Sequence, residues 1–321
     1  MLYQPPYTIT PKILSLVAQI SEAASDIKLI EAGKLPQLRK QNRIKTIVGT
    51  LAIEGNTLSL EQVSAIVEGK PIRGSQKEIA EVRGAIKAYE NLTQYQADSV
   101  IDLLDAHRQM MEEILPDAGC FRQGNVGVHK GDRVVHIAPQ SHRVASLMND
   151  LLAWLKQTDA HPLICSCVFH YEFEFIHPFN DGNGRIGRLW QTLILGQWRD
   201  IFYTLPIENT IQKHQQNYYN ALSSADKQAD STIFIEFMLD IILSSIRTTD
   251  PVTDPLTDPV KKLLSVMDDD YLSSAQMMAK VGLSHKPTFR QNYLLPALKQ
   301  ALIEMSHPNT PNSPKQKYIK K

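Results

Sequence analysis

Twelve consecutive residues, His177 to Arg188, read His-Pro-Phe-Asn-Asp-Gly-Asn-Gly-Arg-Ile-Gly-Arg. They place a titratable base, a carboxylate, two glycines around an asparagine and two arginines beside an apolar stretch. That is the chemical inventory of a nucleotide-phosphate site. His177 has an ordinary pKa suited to taking a proton from an attacking hydroxyl near neutral pH. Asp181 supplies a hard oxygen, and a phosphate-bound Mg²⁺ takes only one or two carboxylates besides phosphates and water. Gly182 and Gly184 permit close approach and unusual dihedrals, which make a nest of backbone N–H groups for phosphate oxygens. Arg185 and Arg188, three apart, project near one helix face, and a guanidinium meets a phosphate bidentately. Taken singly, His-Pro is a helix stop, Gly-Asn-Gly a turn and the two arginines a solvated face. Together they are the parts of phosphoryl or nucleotidyl transfer.

The neighbouring elements must position these groups. Residues 163 to 176 form an apolar helical stretch that Pro178 cannot continue. Residues 186 to 197 are again helical, so 181 to 184 are predicted to be a loop leading into a helix N-terminus. Exposed N–H groups and the positive dipole end there favour an anion. Phe179 is expected to anchor the loop in the core. Most of residues 12 to 248 reads as helix, with Ile13, Leu16, Val17 and Ile20, and Leu147, Leu151, Leu152 and Leu155, at helical spacing. Another helix is predicted over residues 36 to 53, broken at Glu54-Gly55-Asn56. Ser59 with Gln62 three residues on forms a capping-box signal, and Gly69 lies near that helix's end. Ser99 or Asp98 could cap the helix carrying Leu103, Leu104, His107 and Met111. Residues 126 to 137 differ. They are rich in Val and Gly, with Lys130-Gly131-Asp132 as a turn signal, and predict a small β-hairpin.

Residues 249 to 259 carry three Thr-Asp-Pro units at a spacing of four. Each Pro pushes its predecessor toward extended geometry, so this reads as a semi-rigid linker. Beyond it, helices are predicted over 260–266, 273–282 and 287–295. Leu302-Ile303-Glu304-Met305 and Lys317-Tyr318-Ile319 then flank a Pro/Asn/Ser loop like two strands around a wing, suggesting a winged helix-turn-helix. From residue 251 onward ten basic residues stand against six acidic ones. The excess falls on the expected recognition helix and wing, where DNA phosphates would lie. Winged helices also dock proteins, so both kinds of partner stay open.

Global composition excludes more than it assigns. Lys+Arg and Asp+Glu both number 34, so net charge does not point to nucleic acid or an acidic partner. Hydrophobic content of 43% supports a sizeable core. Cys120, Cys165 and Cys167 are too few and odd in number for a disulfide framework, and the latter two lie in an apolar run that predicts buried core thiols. The first residues lack the basic start and apolar run of a signal peptide, and no window reaches the ~18 consecutive apolar residues of a spanning helix. A cytoplasmic protein without a membrane partner is expected. Apolar faces on the N-terminal helices would allow a homodimer.

The window from His177 to Arg188 resembles the signature of the Fic family, His-x-Phe-x-Asp/Glu-Gly-Asn-Gly-Arg-x-x-Arg, at every fixed position. The resemblance implies a helical Fic fold and transfer of AMP from ATP, with Mg²⁺, to a Ser, Thr or Tyr hydroxyl of a target protein or of the chain itself. By the same resemblance His177 is the general base and Asp181 holds the metal. Gly182, Asn183 and Gly184 line the anion hole, Arg185 and Arg188 meet the phosphates, and Gly187 belongs to the nucleotide-binding helix. The related Doc kinases carry Lys at the second glycine, so Gly184 favours adenylylation over phosphorylation. Gly119-Cys120-Phe121-Arg122 and the hairpin resemble the family's flap region, with Val134, Val135 and His136 as inner residues that hold a target backbone by strand addition. Tyr218-Tyr219 resembles the paired tyrosines near the adenine. Thr50-Leu51-Ala52-Ile53-Glu54-Gly55-Asn56 resembles the inhibitory motif Ser/Thr-x-x-x-Glu-Gly/Asn. Thr50 and Glu54 share a helix face, and Glu54 is expected to pair with Arg188, the arginine otherwise needed by the γ-phosphate. In this family the Glu can also assist removal of AMP.

The architecture expected is mainly α: a helical Fic fold with a small β-hairpin flap and a C-terminal winged helix-turn-helix domain. An N-terminal helical region with the inhibitory helix is expected over 1–95, a catalytic core over 96–248, the linker over 249–260 and the winged helix over 261–321. The function expected is an autoinhibited protein adenylyltransferase. A DNA-binding regulator with a nucleotide-sensing Fic domain, or a phosphotransferase, is the alternative.

Overall fold

The computed structural model describes residues 3–30, 35–130, 133–248, 258–267, 270–283, 285–299, 302–307, 310, 313 and 316–320. The chain divides into two units, 1–249 and 250–321. The first unit opens with α1 (Pro11–Ile30), α2 (Leu35–Ile53), α3 (Leu60–Val67), α4 (Gln76–Glu90) and α5 (Val100–Met111). The hairpin β1 (Gly127–Lys130) and β2 (Arg133–Ile137) follows, then α6 (Ser141–Gln157), α7 (Pro162–Ile176) and α8 (Asn183–Trp198). The first unit closes with α9 (Ile207–Lys213), α10 (Gln215–Gln228) and α11 (Thr232–Thr248).

The centre of this unit is the α7–α8 pair. Every residue of α7 from Leu163 to Phe173 is buried, and α8 is buried from Arg185 to Gly196. A helix apolar on nearly all sides must be enclosed, and α6 and α11 pack against α7. The flanking helices close the core: α1 lies along α11 and α2 along α9. Residues 1–95 therefore share one continuous hydrophobic core with residues 96–248. Among the described residues no helix is long and apolar enough to cross a membrane.

Local signals account for the boundaries. Ser59 accepts from Gln62 N–H while the Gln62 side chain accepts from Ser59 N–H, a complete capping box for α3. Ser99, not Asp98, caps α5 by accepting from Asp102 N–H. Cys165 and Cys167 are buried and burial pushes their thiols up to about 11 and about 12. In the hairpin Val128 pairs with His136 but His129 pairs with Val134, so Val135 is the extra residue of a bulge. The turn residues Gly131 and Asp132 lie outside the described residues.

The second unit has its own core, in which Val260, Leu263, Met277, Phe289 and Tyr318 are buried together. It comprises α12 (Asp258–Ser265), β3 (Leu272–Ser273), α13 (Ser274–Val281) and α14 (Lys286–Phe289). A wide π-helical turn, Arg290–Leu294, runs into α15 (Leu295–Lys299), followed by β4 (Ile303–Met305) and β5 (Lys317–Lys320). The sheet order is β3-β5-β4, all antiparallel. Three helical segments and a small sheet match the expected pattern, and β3 is a strand the sequence did not announce. The expected linker lies outside the described residues over 249–257. Its last unit differs from expectation, because Asp258 and Pro259 open α12. A proline fits a helix's first turn, where its missing N–H has no partner to lose.

Candidate active site

The chain between α7 and α8 is six residues long, 177 to 182, and three buried side chains hold it. His177 caps α7 with φ 51 and ψ 61, a left-handed conformation rare outside glycine. Arg122 enforces it. This guanidinium is buried and donates through Nε to His177 O at 2.7 Å, through Nη1 to Gly124 O at 2.8 Å, and through Nη2 to the Pro139 and Ile176 carbonyls. Its backbone N–H also reaches Pro178 O at 2.9 Å. Arg122 thereby satisfies carbonyls at the C-terminus of α7, where a cation is favoured, and ties the catalytic loop to both feet of the hairpin.

Phe179 is fully buried, as expected of a core anchor, and stacks on His107 with centroids 3.6 Å apart. His107 Nδ1 accepts from Gly119 N–H at 2.8 Å, which assigns its proton to Nε2, and that nitrogen donates to Asp181 O at 3.0 Å. Burial lowers the His107 pKa, keeping this neutral arrangement. Asn183 closes the loop. Its Oδ1 accepts from Phe179 N–H and its Nδ2 donates to Phe179 O, both at 2.9 Å. The Asn183 side chain is therefore a loop clamp, and only its backbone remains for an anion.

Gly182 is the N-cap of α8 with φ 86. This left-handed residue turns the chain at once into the helix, so α8 starts at Asn183 rather than near Ile186, and Gly184 lies in its first turn. Arg185 Nη2 donates to Asp181 Oδ1 at 2.9 Å, with Glu81 Oε1 3.7 Å from Nη1. Asp181 Oδ1 also accepts from Gly182 N–H at 2.6 Å, and the carboxylate is 48% exposed. The one carboxylate that resemblance assigns to Mg²⁺ is thus open to solvent, with Oδ2 outside these bonds. Among the described residues no cluster of three or more His, Cys, Asp or Glu could hold a metal. A cation here would need phosphate and water oxygens to complete its shell, the usual habit of Mg²⁺.

Arg188 is buried and reaches back to α2. Its Nε donates to Thr50 Oγ1 at 2.9 Å, and its Nη2 donates to Thr50 O at 3.0 Å and to Glu54 Oε1 at 2.7 Å. Burial alone would lower the guanidinium's pKa, but Glu54, together with Tyr218 and Glu174, outweighs it and raises the value. Gly184 explains how the carboxylate fits: a Cβ there would come within 2.5 Å of Glu54 Oε1. Glu54 therefore occupies space at the first turn of α8, where the phosphates are expected.

The end of α2 is held from two more sides. The Ile53 carbonyl accepts from Gln215 Nε2 at 2.8 Å and from the Tyr219 hydroxyl at 3.4 Å. Asn56 Nδ2 donates to Glu81 Oε2 at 2.8 Å, the carboxylate whose other oxygen faces Arg185. Gln215, Glu81 and His107 were not singled out as site residues by motif, and the bonds by which they and Arg122 reach the site span 25 to 162 residues of sequence.

Two residues expected at the nucleotide, Tyr218 and Gly187, have close neighbours in the core. Tyr218 is fully buried, with its hydroxyl 2.9 Å from His170 Nε2, so its ring faces the core; Tyr219 is the half-exposed member of the pair. Gly187 serves packing, since a Cβ there would lie 2.7 Å from Glu174 Oε1. Val134 and Val135 lie on β2, but their side chains fall outside the described residues.

A left-handed histidine, a solvent-facing carboxylate and two buried arginines around one helix N-terminus define a helical anion-binding domain of the kind that handles nucleotide phosphates. The comparisons narrow that class. Residues 98–195 match the model of the Fic/DOC family, and residues 258–319 match the model described as Filamentation induced by cAMP protein Fic-like, C-terminal domain. A solved Fic family protein from Desulfovibrio desulfuricans G20 is 48% identical with a TM-score of 0.77, over 99% of this chain and 98% of that one. Fic-1 from C. elegans is 26% identical with a TM-score of 0.60, over 74% of this chain and 70% of that one. The Protein adenylyltransferase Fic of Culex quinquefasciatus is 32% identical over 232 residues, 68% of this chain and 44% of the relative. That of Nematostella vectensis is 33% identical over 245 residues, 71% and 55%. The chain spans about half the length of these curated relatives. It belongs to the Fic family.

Proposed function

We propose that this chain is a protein adenylyltransferase held inactive by Glu54. The observation that carries the reading is the Glu54–Arg188 pair of 2.7 Å, packed where Gly184 leaves room. An ATP γ-phosphate needs the guanidinium that Glu54 holds. With that arginine taken, nucleotide can enter but not adopt the reactive pose. The curated relatives bear the name adenylyltransferase, which supports the class of reaction.

Each residue has a part. The N–H groups at the start of α8 and the freed arginines bind and orient the phosphates. His177, held by Arg122, takes the proton from a target Ser, Thr or Tyr hydroxyl as its oxygen attacks the α-phosphorus; pyrophosphate leaves. Asp181, through its open oxygen, would hold Mg²⁺, which neutralises developing phosphate charge when bound. The hairpin, whose feet Arg122 ties to the loop, would present the target backbone by strand addition. Removal of AMP, with water in place of the hydroxyl, uses the same groups and Glu54.

The test is label transfer in lysate from ATP labelled at the α-phosphate. Glu54→Gly should raise labelling of the chain itself or of a target by about 10- to 100-fold, the range of one or two tenfold steps of 1.4 kcal/mol. Adding His177→Ala should abolish it. Absence of labelling from Glu54→Gly would sink the proposal, and transfer from γ-labelled ATP instead would assign phosphotransfer.

A further inference from the structure

The chain as a whole carries 34 basic and 34 acidic residues, yet from residue 271 to the end eight Lys or Arg stand against a single acid, Glu304. The helical run from Lys286 through the π turn to Lys299 contains no acid at all. An ordinary solvated face mixes signs, as α4 does with Lys77, Arg83 and Lys87 beside Glu78 and Glu90. The run buries Phe289, Leu294 and Ala297 in the second unit's core. The run leaves Lys286, Arg290, Gln291 and Asn292 exposed, and the side chains of these four make no hydrogen bond or ion pair among the described residues. Lys317 and Lys320 are exposed on β5.

The side-chain types distinguish the partner. A patch meant for any polyanion needs only cations. Here an arginine sits beside two amides. Arg reads guanine O6 and N7, while Gln and Asn read adenine N6 and N7, in the major groove. A membrane surface would require apolar residues among the charges, and Leu295 is the large exposed apolar side chain of the run. At ~1.5 Å per residue the run is about 20 Å long, and a helix fits the ~12 Å major groove.

We infer that the second unit binds duplex DNA, with Arg290 and its neighbour Gln291 facing base edges and Lys286, one turn before Arg290, with Lys317 and Lys320 on phosphates. The site is independent of the nucleotide chemistry, so a catalytically dead His177→Ala chain binds equally well.

Fluorescence anisotropy of the full chain with a labelled random-sequence duplex tests this. Three lysine–phosphate contacts predict an affinity that falls about 40-fold between about 50 and 200 mM salt. Lys286→Ala should shallow the log–log salt slope by about one, leaving thermal stability unchanged. In selection from a random duplex pool, Arg290→Ala should relax preference at one guanine by between about 5- and 150-fold. Absence of binding at the lower salt, equal affinity for polyglutamate, or a slope unaltered when Lys286, Lys317 and Lys320 are all Gln would each overturn the inference.

Discussion

Arg188 donates to Glu54 Oε1 at 2.7 Å and to both the hydroxyl and the carbonyl of Thr50, so one buried guanidinium on α8 takes three acceptors from the last turns of α2. Under the proposed inhibition, Glu54 does not hold Arg188 alone. Glu54 is about a third exposed and its pairing is partly screened, while Thr50 is fully buried. Thr50→Val, which keeps shape and removes the hydroxyl, should lower stability by about 1–3 kcal/mol. Adenylylation should rise, but by less than with Glu54→Gly, because the Thr50 carbonyl still holds Nη2. Urea melts and label transfer measure the two effects. A labelling rise equal to that of Glu54→Gly would contradict the division of labour.

Asn56 connects the turn after Glu54 to Glu81, which faces Arg185. The segment from Thr50 to Asn56 is thus linked to both Arg185 and Arg188, to Arg188 directly and to Arg185 through Glu81. Asn56→Ala should raise labelling several-fold in the wild-type background by loosening the turn. In the Glu54→Gly background the same change should do nothing further, since residues acting through one interaction are not additive. Equal increments in both backgrounds would show that Asn56 does not act through Glu54.

Arg122 is a positioning residue, since its four hydrogen bonds end on backbone carbonyls around His177. Lysine cannot reproduce that planar fork. Arg122→Lys in the Glu54→Gly background should lower kcat at least about tenfold, because a misplaced base costs orientation, with little change in KM for ATP. Carbonyls left unsatisfied should also cost about 1–3 kcal/mol each. A rise in KM at constant kcat would place the residue in binding instead.

His170 supplies a pH prediction. It is fully buried, its Nδ1 donates to Gln191 Oε1 and its Nε2 accepts from the Tyr218 hydroxyl, and burial pushes its pKa down to about 3. The folded state binds this proton less readily than the unfolded chain. The histidine's contribution is therefore present above its unfolded pKa of about 6.5 and is lost as pH falls from there toward 3. At pH 5 the loss is about 2 kcal/mol. Glu172 works the other way: burial raises its pKa to about 7, so its contribution is present at low pH and lost as pH rises through 7. Urea melts of wild type and His170→Gln isolate the first effect. The stability difference should narrow by about 2 kcal/mol between pH 7.5 and 5, and a constant difference would refute it.

Much of the site was legible because its chemistry is local. His177, Asp181, Gly182, Gly184, Arg185 and Arg188 lie within one turn and the start of one helix, so residue types and spacing reveal them. The Thr50–Glu54 pair was legible for the same reason, being two residues on one helix face. The cap at Ser59 was readable, and that of α5 was narrowed to Ser99 or Asp98, because a cap is an interaction three residues long. What the motif could not show is the surroundings of Asn183, Gly187 and Tyr218: a side-chain clamp on Phe179, close packing against Glu174 and a bond to buried His170.

The sequence by itself determined the phosphate-site motif, the helical class, the hairpin, and the break at Glu54 that ends α2. Each follows from periodicity, turn chemistry or a short run of reactive side chains. Only the tertiary structure decided which buried groups hold those pieces in place. Arg122 clamps His177 from 55 residues away, His107 reaches Asp181 across 74, and Arg188 meets Glu54 across 134. Such contacts leave no local trace, because a hydrogen bond to a distant carbonyl places no demand on the residues beside it. They exist because α2, α5, α7 and α8 are packed around one core, and that packing is a property of the whole chain.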